Sequence, residues 1–132
     1  METLTCYRVG EQLFTNKEVA LLYETIKTMP NATQLSINSK NNVSLTLDLS
    51  ESHLGVLIDK DGNTISFANI PICMTSEHFL ELSKRGISWL VEGNIQNFAF
   101  SNKENLVEDF LFLYEHAKKV DSEIYKHKTG VL

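Results

Sequence analysis

Between residues 34 and 70 the apolar positions recur at every second residue, in the segments QLSIN (34–38), VSLTLDL (43–49), LGVLID (54–59) and TISFANI (64–70). Alternation of this kind predicts β-strands with one face buried. Asp61-Gly62 marks a two-residue hairpin turn, because a type I′ turn needs positive φ at both central positions. That turn places Ile58 opposite Ile65 and Val56 opposite Phe67. A compatible register for the neighbouring strands sets Leu47 against Val56, Leu45 against Ile58 and Leu35 against Leu45. One face of the meander then carries Leu35, Leu45, Leu47, Val56, Ile58, Ile65 and Phe67, and the other Ser44, Thr46, Asp48, Ser66 and Ala68.

The period changes on either side. Residues 2–9 alternate weakly and predict a first strand. Val19, Leu22, Tyr23, Ile26 and Met29 then recur at helical spacing, up to the stop at Pro30. Thr15 and Glu18 make a capping box for this helix, with Phe14 stapled onto Val19. A short helix is expected over 75–85, capped by Thr75, stapled by Met74 and Phe79, and closed at Gly86. Gly93-Asn94 signals a second hairpin that sets Trp89 opposite Phe98 and Ile87 opposite Phe100. A single helix over 75–92 competes with this arrangement, but Gly86 and the β-branched run count against it. Last, Leu106, Phe110, Leu113, Ala117, Val120 and Ile124 form one apolar helical stripe behind a Ser101–Glu104 capping box, and the tail KHKTGVL is expected to fray. The fold class is α+β: one domain over 1–132, with an antiparallel sheet of about six strands, a meander plus a hairpin, packed against two or three helices.

Composition narrows the function mainly by exclusion. Of 132 residues, 17 are acidic and 12 basic, a net charge of −5, which argues against direct nucleic-acid binding. No apolar run approaches the ~18–20 residues needed to cross a bilayer, and the start METLTCYRVGEQ lacks an export signal, so a cytoplasmic protein without membrane contact is expected. Without that route the NAT (31–33) and NVS (42–44) sequons carry no meaning. Cys6 and Cys73 read as reduced thiols, and neither makes a CxxC. His53, His78, His116 and His127 show no metal-ligand spacing. Nucleophile elbow and phosphate-binding glycine loop are both missing, and Leu57 falls where a calcium loop ending at Gly62 needs an oxygen ligand. Glu108 and Asp109 point about 100° apart on a helix and do not face one substrate. No catalytic residue, metal or cofactor is therefore assigned, and the chain is expected to act by binding.

Charge is unevenly spread. Residues 48–116 hold eleven acidic and four basic side chains, a net −7, leaving +2 for the remainder. The plain alternative is a solvated face; the sharper one is an acidic surface that docks on a basic partner. On the last helix Phe112 falls opposite the apolar stripe, among Glu104, Glu108, Glu115 and Lys119. It is either an interface anchor with a charged rim or a side chain covered by its own domain.

The meander VSLTLDLSESHLGVLIDKDGNTISF, the hairpin after it and the capped helix SNKENLVEDFLFLYEHAKK resemble bacterial immunity proteins. Those proteins guard cells against polymorphic toxins, including the toxins of contact-dependent growth inhibition. The resemblance covers about residues 34–120 and lies in architecture, size and acidity, so no residue role is carried over from it. It implies an antitoxin, monomeric when free, that binds a cognate toxin with a basic surface. Many such toxins are nucleases, whose cleft an acidic face imitating nucleic acid would block. The candidate contacts are Glu104, Glu108, Phe112 and Glu115, with Asp59, Asp61 and Glu92 as a second set at loop positions. The alternative is a class I type III secretion chaperone, similar in size and pI. Such chaperones begin with a helix and dimerise, whereas the first helix here starts only near residue 15.

Overall fold

The computed structural model describes residues 5–34, 42–60, 65–68, 76–92, 95–100 and 104–129. The chain opens with a hairpin, β1 (Tyr7–Val9) and β2 (Gln12–Phe14), whose turn at Gly10 has φ +62°. The strand expected over 2–9 is thus half of a hairpin, its first residues lying outside the described residues. Three-residue β2 is too short to display the alternation by which strands are recognised.

Helix α1 (Lys17–Lys27) begins one residue later than expected. Its N-cap is Asn16, whose Oδ1 accepts a hydrogen bond from the Val19 amide at 3.1 Å. Thr15 is not the cap; its amide donates to the Lys60 carbonyl at 3.2 Å. Phe14 and Val19 are both fully buried.

Six strands form the main sheet: β3 (Ala32–Gln34), β4 (Asn42–Asp48), β5 (His53–Asp59), β6 (Ile65–Ala68), β7 (Ile87–Glu92) and β8 (Ile95–Phe100). Their order is β3-β4-β5-β6-β8-β7, and every neighbouring pair is antiparallel. The pairs Ile58–Ile65, Val56–Phe67, Trp89–Phe98 and Ile87–Phe100 all stand in the expected register. The Asp61-Gly62 and Gly93-Asn94 turns themselves lie outside the described residues.

Two registers differ from expectation. Between β4 and β5 the pairs are Leu47–Leu54, Leu45–Val56 and Val43–Ile58, a slip of two positions. The cause is a tight turn, in which the Leu49 amide donates to the Ser52 carbonyl at 2.8 Å. A slip of two leaves every side chain on its face, so Val43, Leu45, Leu47, Leu54, Val56 and Ile58 are all buried. Between β3 and β4 Gln34 takes the place opposite Leu45 expected for Leu35, which lies outside the described residues. Gln34 tolerates that place because the Tyr23 hydroxyl donates to its Oε1.

Helices α1, α2 (Ser76–Lys84) and α3 (Leu106–Thr129) cover the apolar face of the sheet. The opposite face keeps Leu57 and Leu90 exposed. Helix α2 ends as expected, at Gly86 with φ +72°. Helix α3 starts at Leu106, with Glu104 in the turn before it, and Ser101 of the expected capping box lies outside the described residues. At its start the Asp109 amide donates to the Asn105 carbonyl at 2.9 Å. Leu106, Phe110, Leu113 and Ala117 are buried and Val120 and Ile124 half-buried, and the helix continues to Thr129 through most of the segment expected to fray.

Candidate functional site

The candidate residues cluster on α3, whose surroundings follow from chain direction. Strand β8 delivers the chain to the amino end of α3, and α2 runs down beside it in the opposite sense. Arg85, just past α2, therefore meets the first turns of α3, while His78 in the first turn of α2 meets His116 further along. The guanidinium of Arg85 donates from Nη1 to Asp109 at 2.8 Å and from Nε to Glu81 at 2.9 Å, and lies 4.6 Å from the centroid of the Phe112 ring. The Asp109 hydrogen bond holds its pKa above the ordinary value, against the opposing pull of desolvation.

This network decides the place of Phe112. The ring is half-buried against the core, with Arg85 across it, because α2 covers that flank of α3. It is not an open anchor ringed by acids. The exposed apolar side chain among the acidic residues is its neighbour Leu111, 37% exposed. Glu108, Leu111 and Glu115, spaced three and four apart, form one outward stripe, with exposed Glu104 just before the helix. Glu115 also meets Lys118 at 3.4 Å.

The second set does not form one site. Asp59 ends β5 at the end of the sheet where β7 starts, three strands across, whereas Glu92 ends β7 at the opposite end, more than about 20 Å away at strand spacing and rise. Asp61 lies outside the described residues. The net charge of 48–116 also overstates the acidic surface, since Asp109 is buried and Arg85 engages both Asp109 and Glu81.

No protein family, curated protein or solved structure matches this chain.

Two carboxylates are structural: Asp109, which the sequence reading counted among the acids of 48–116, and Asp121, which it did not single out. Asp109 is 2% exposed, and its Oδ2 has no hydrogen-bond partner among the described residues. Asp121 is 5% exposed and holds the β4–β5 turn: it accepts from the amides of Ser50 at 3.0 Å and Glu51 at 2.8 Å and from the Ser52 hydroxyl at 2.9 Å. A signal existed, since Asp109 follows Leu106 by three and Asp121 follows Ala117 by four, both at stripe spacing. The histidines show no metal-ligand spacing along the chain, but the fold brings the His78 and His116 rings together, tilted, with centroids 4.0 Å apart. His53 lies 2.6 Å from Asp48 at the other end of the β4–β5 pair from Asp59. Among the described residues no group of three or more His, Cys, Asp or Glu is placed to hold a metal ion, and no helix is long and apolar enough to cross a membrane. Cys6 is a free, exposed thiol, and Cys73 lies outside the described residues.

Proposed function

We propose that this chain is an immunity protein that binds and neutralises a cognate bacterial toxin domain, a nuclease with a basic cleft, through the outward flank of α3. The observation that carries the proposal is the stripe Glu108–Leu111–Glu115, with Glu104 beside it: exposed carboxylates around an exposed apolar side chain on a rigid helix. Carboxylates in such an array repeat negative charge along a line, as a phosphate backbone does, and a basic cleft built for that backbone attracts them over a distance. Leu111 supplies the desolvated contact that charge alone lacks. No catalytic step is needed, because occupying the cleft is sufficient to inhibit.

The test pairs capture with rescue. Tagged protein is used to retain partners from the source strain at low salt, and the retained chain is then expressed alone and together with this protein. A stoichiometric partner with a basic domain, toxic alone and harmless in the pair, is the expected result. A secreted effector that is harmless alone would instead identify a secretion chaperone.

A further inference from the structure

Among the described strands, the two edges of the main sheet differ. The β3 edge is three residues long, whereas the β7 edge runs for six, ISWLVE, with no lysine, no proline and no charge before Glu92. Edge strands are ordinarily kept short or blunted by such residues, because their outer backbone groups are a template for another strand. Three of the most exposed large apolar side chains gather here: Leu80 of α2 at 60%, and Leu90 and Val91 of β7 at 58% and 50%. We propose that two copies of the chain meet at this edge. Strand β7 pairs antiparallel with its counterpart about a twofold axis at Leu90, and α2 of each copy lies along α2 of the other.

The helix argues for a second copy over a lone extended segment. Helix α2 packs on β7, and His78 and Arg85 turn toward α3. Leu80 follows His78 by two residues, about 200° round the helix, so it points away from α3 and past the β7 edge. A strand added alone to β7 leaves Leu80 bare, whereas a second copy brings its own α2 against it. The heights agree. Leu80 lies about 6 Å before the end of α2, and Trp89 and Leu90 lie about 7–10 Å beyond the start of β7, so one axis passes both centres. Charge fits the same axis. Exposed Glu77 and Lys84 stand three before and four after Leu80, on its flank of the helix. Antiparallel contact through Leu80 sets Glu77 of each copy against Lys84 of the other, giving two complementary pairs. The contact departs from the free monomer that the resemblance implies. It leaves the outward flank of α3 open on both copies, so it goes beyond the proposed partner site and does not depend on it.

One strand and one helix flank make a small interface, so sedimentation equilibrium of the full chain from about 5 μM to about 500 μM should show a reversible monomer–dimer equilibrium. Leu90→Lys sets two like charges on the axis and should weaken association by at least about tenfold. Glu77→Lys and Lys84→Glu should each weaken it by about as much, since each turns both attractive pairs into repulsive ones. An equimolar mixture of those two variants should regain association close to that of the parent, as a mixed dimer in which both pairs attract again. Such recovery excludes misfolding as the cause of the loss, and circular dichroism checks the fold of Leu90→Lys. A monomer throughout the range would leave the edge to a strand of another protein and overturn the proposal. So would a dimer indifferent to Leu90→Lys, or a mixture that stays as dissociated as its two components.

Discussion

Arg85 is the polar side chain on which the α2–α3 contact turns. A carboxylate as buried as Asp109 is costly unless paired, and Arg85 supplies the pairing while covering Phe112 with its flat face. Replacing Arg85 by Met keeps most of the volume but strands Asp109. Urea unfolding should show a loss of about 3–5 kcal/mol for Arg85→Met, and most of it should return in Arg85→Met/Asp109→Leu. A loss under about 1 kcal/mol would mean that Asp109 finds its compensation elsewhere. The pH dependence has a definite sign. The folded-state pKa of Arg85 is raised above its ordinary value, so its stabilising contribution is complete below the unfolded value and fades only as pH climbs through the higher folded one. The pairing therefore adds no slope to stability near neutral pH through Arg85 itself.

At the scale of elements, the β4–β5 hairpin shows how a distant residue can set a local register. Asp121 takes three hydrogen bonds from residues 50–52, so the turn that aligns Leu47 with Leu54 is completed only when α3 has docked. Asp121→Ala should cost about 2–4 kcal/mol, since it leaves two amides and a hydroxyl to find water in a confined turn. Hydrogen exchange should rise around 48–54 while the β7–β8 hairpin keeps its protection; equal loss in both hairpins would refute a local role. The same contrast explains what could be read in advance. A two-residue turn dictates register through backbone geometry, so Ile58–Ile65 and Trp89–Phe98 were legible from Asp61-Gly62 and Gly93-Asn94. The β4–β5 register was not, because its determinant lies about seventy residues away. Alternation identified the buried face of β4 and β5 regardless, since a slip of two does not change it. Of the candidate site, the exposure of Glu108 and Glu115 was legible from helical spacing. The cover over Phe112 was not, because it depends on where α2 lies.

The whole molecule divides α3 among three tasks, and the division is testable. Leu106, Phe110, Leu113 and Ala117 face the core, Asp109, Phe112 and His116 face α2, and Glu108, Leu111 and Glu115 face outward. Adjacent residues therefore belong to different properties of the protein. Phe112→Ala should lower stability by about 2–3 kcal/mol, by opening space beneath Arg85, yet leave the affinity of the folded fraction for its partner close to the parent value. Leu111→Ala should do the reverse, losing under about 1 kcal/mol of stability but roughly 5–30-fold in affinity, chiefly as faster dissociation. Glu108→Lys and Glu115→Lys should act mainly on the association rate, with an effect that shrinks as salt is added, because steering is screened beyond about 10 Å at 0.1 M ionic strength. Calorimetric unfolding and surface-binding kinetics on the same four variants separate the two properties. If Phe112→Ala weakens binding in proportion to Leu111→Ala while all four remain folded, the partner must engage the α2–α3 seam rather than the outward flank. The acidic stripe would then be only a solvated surface.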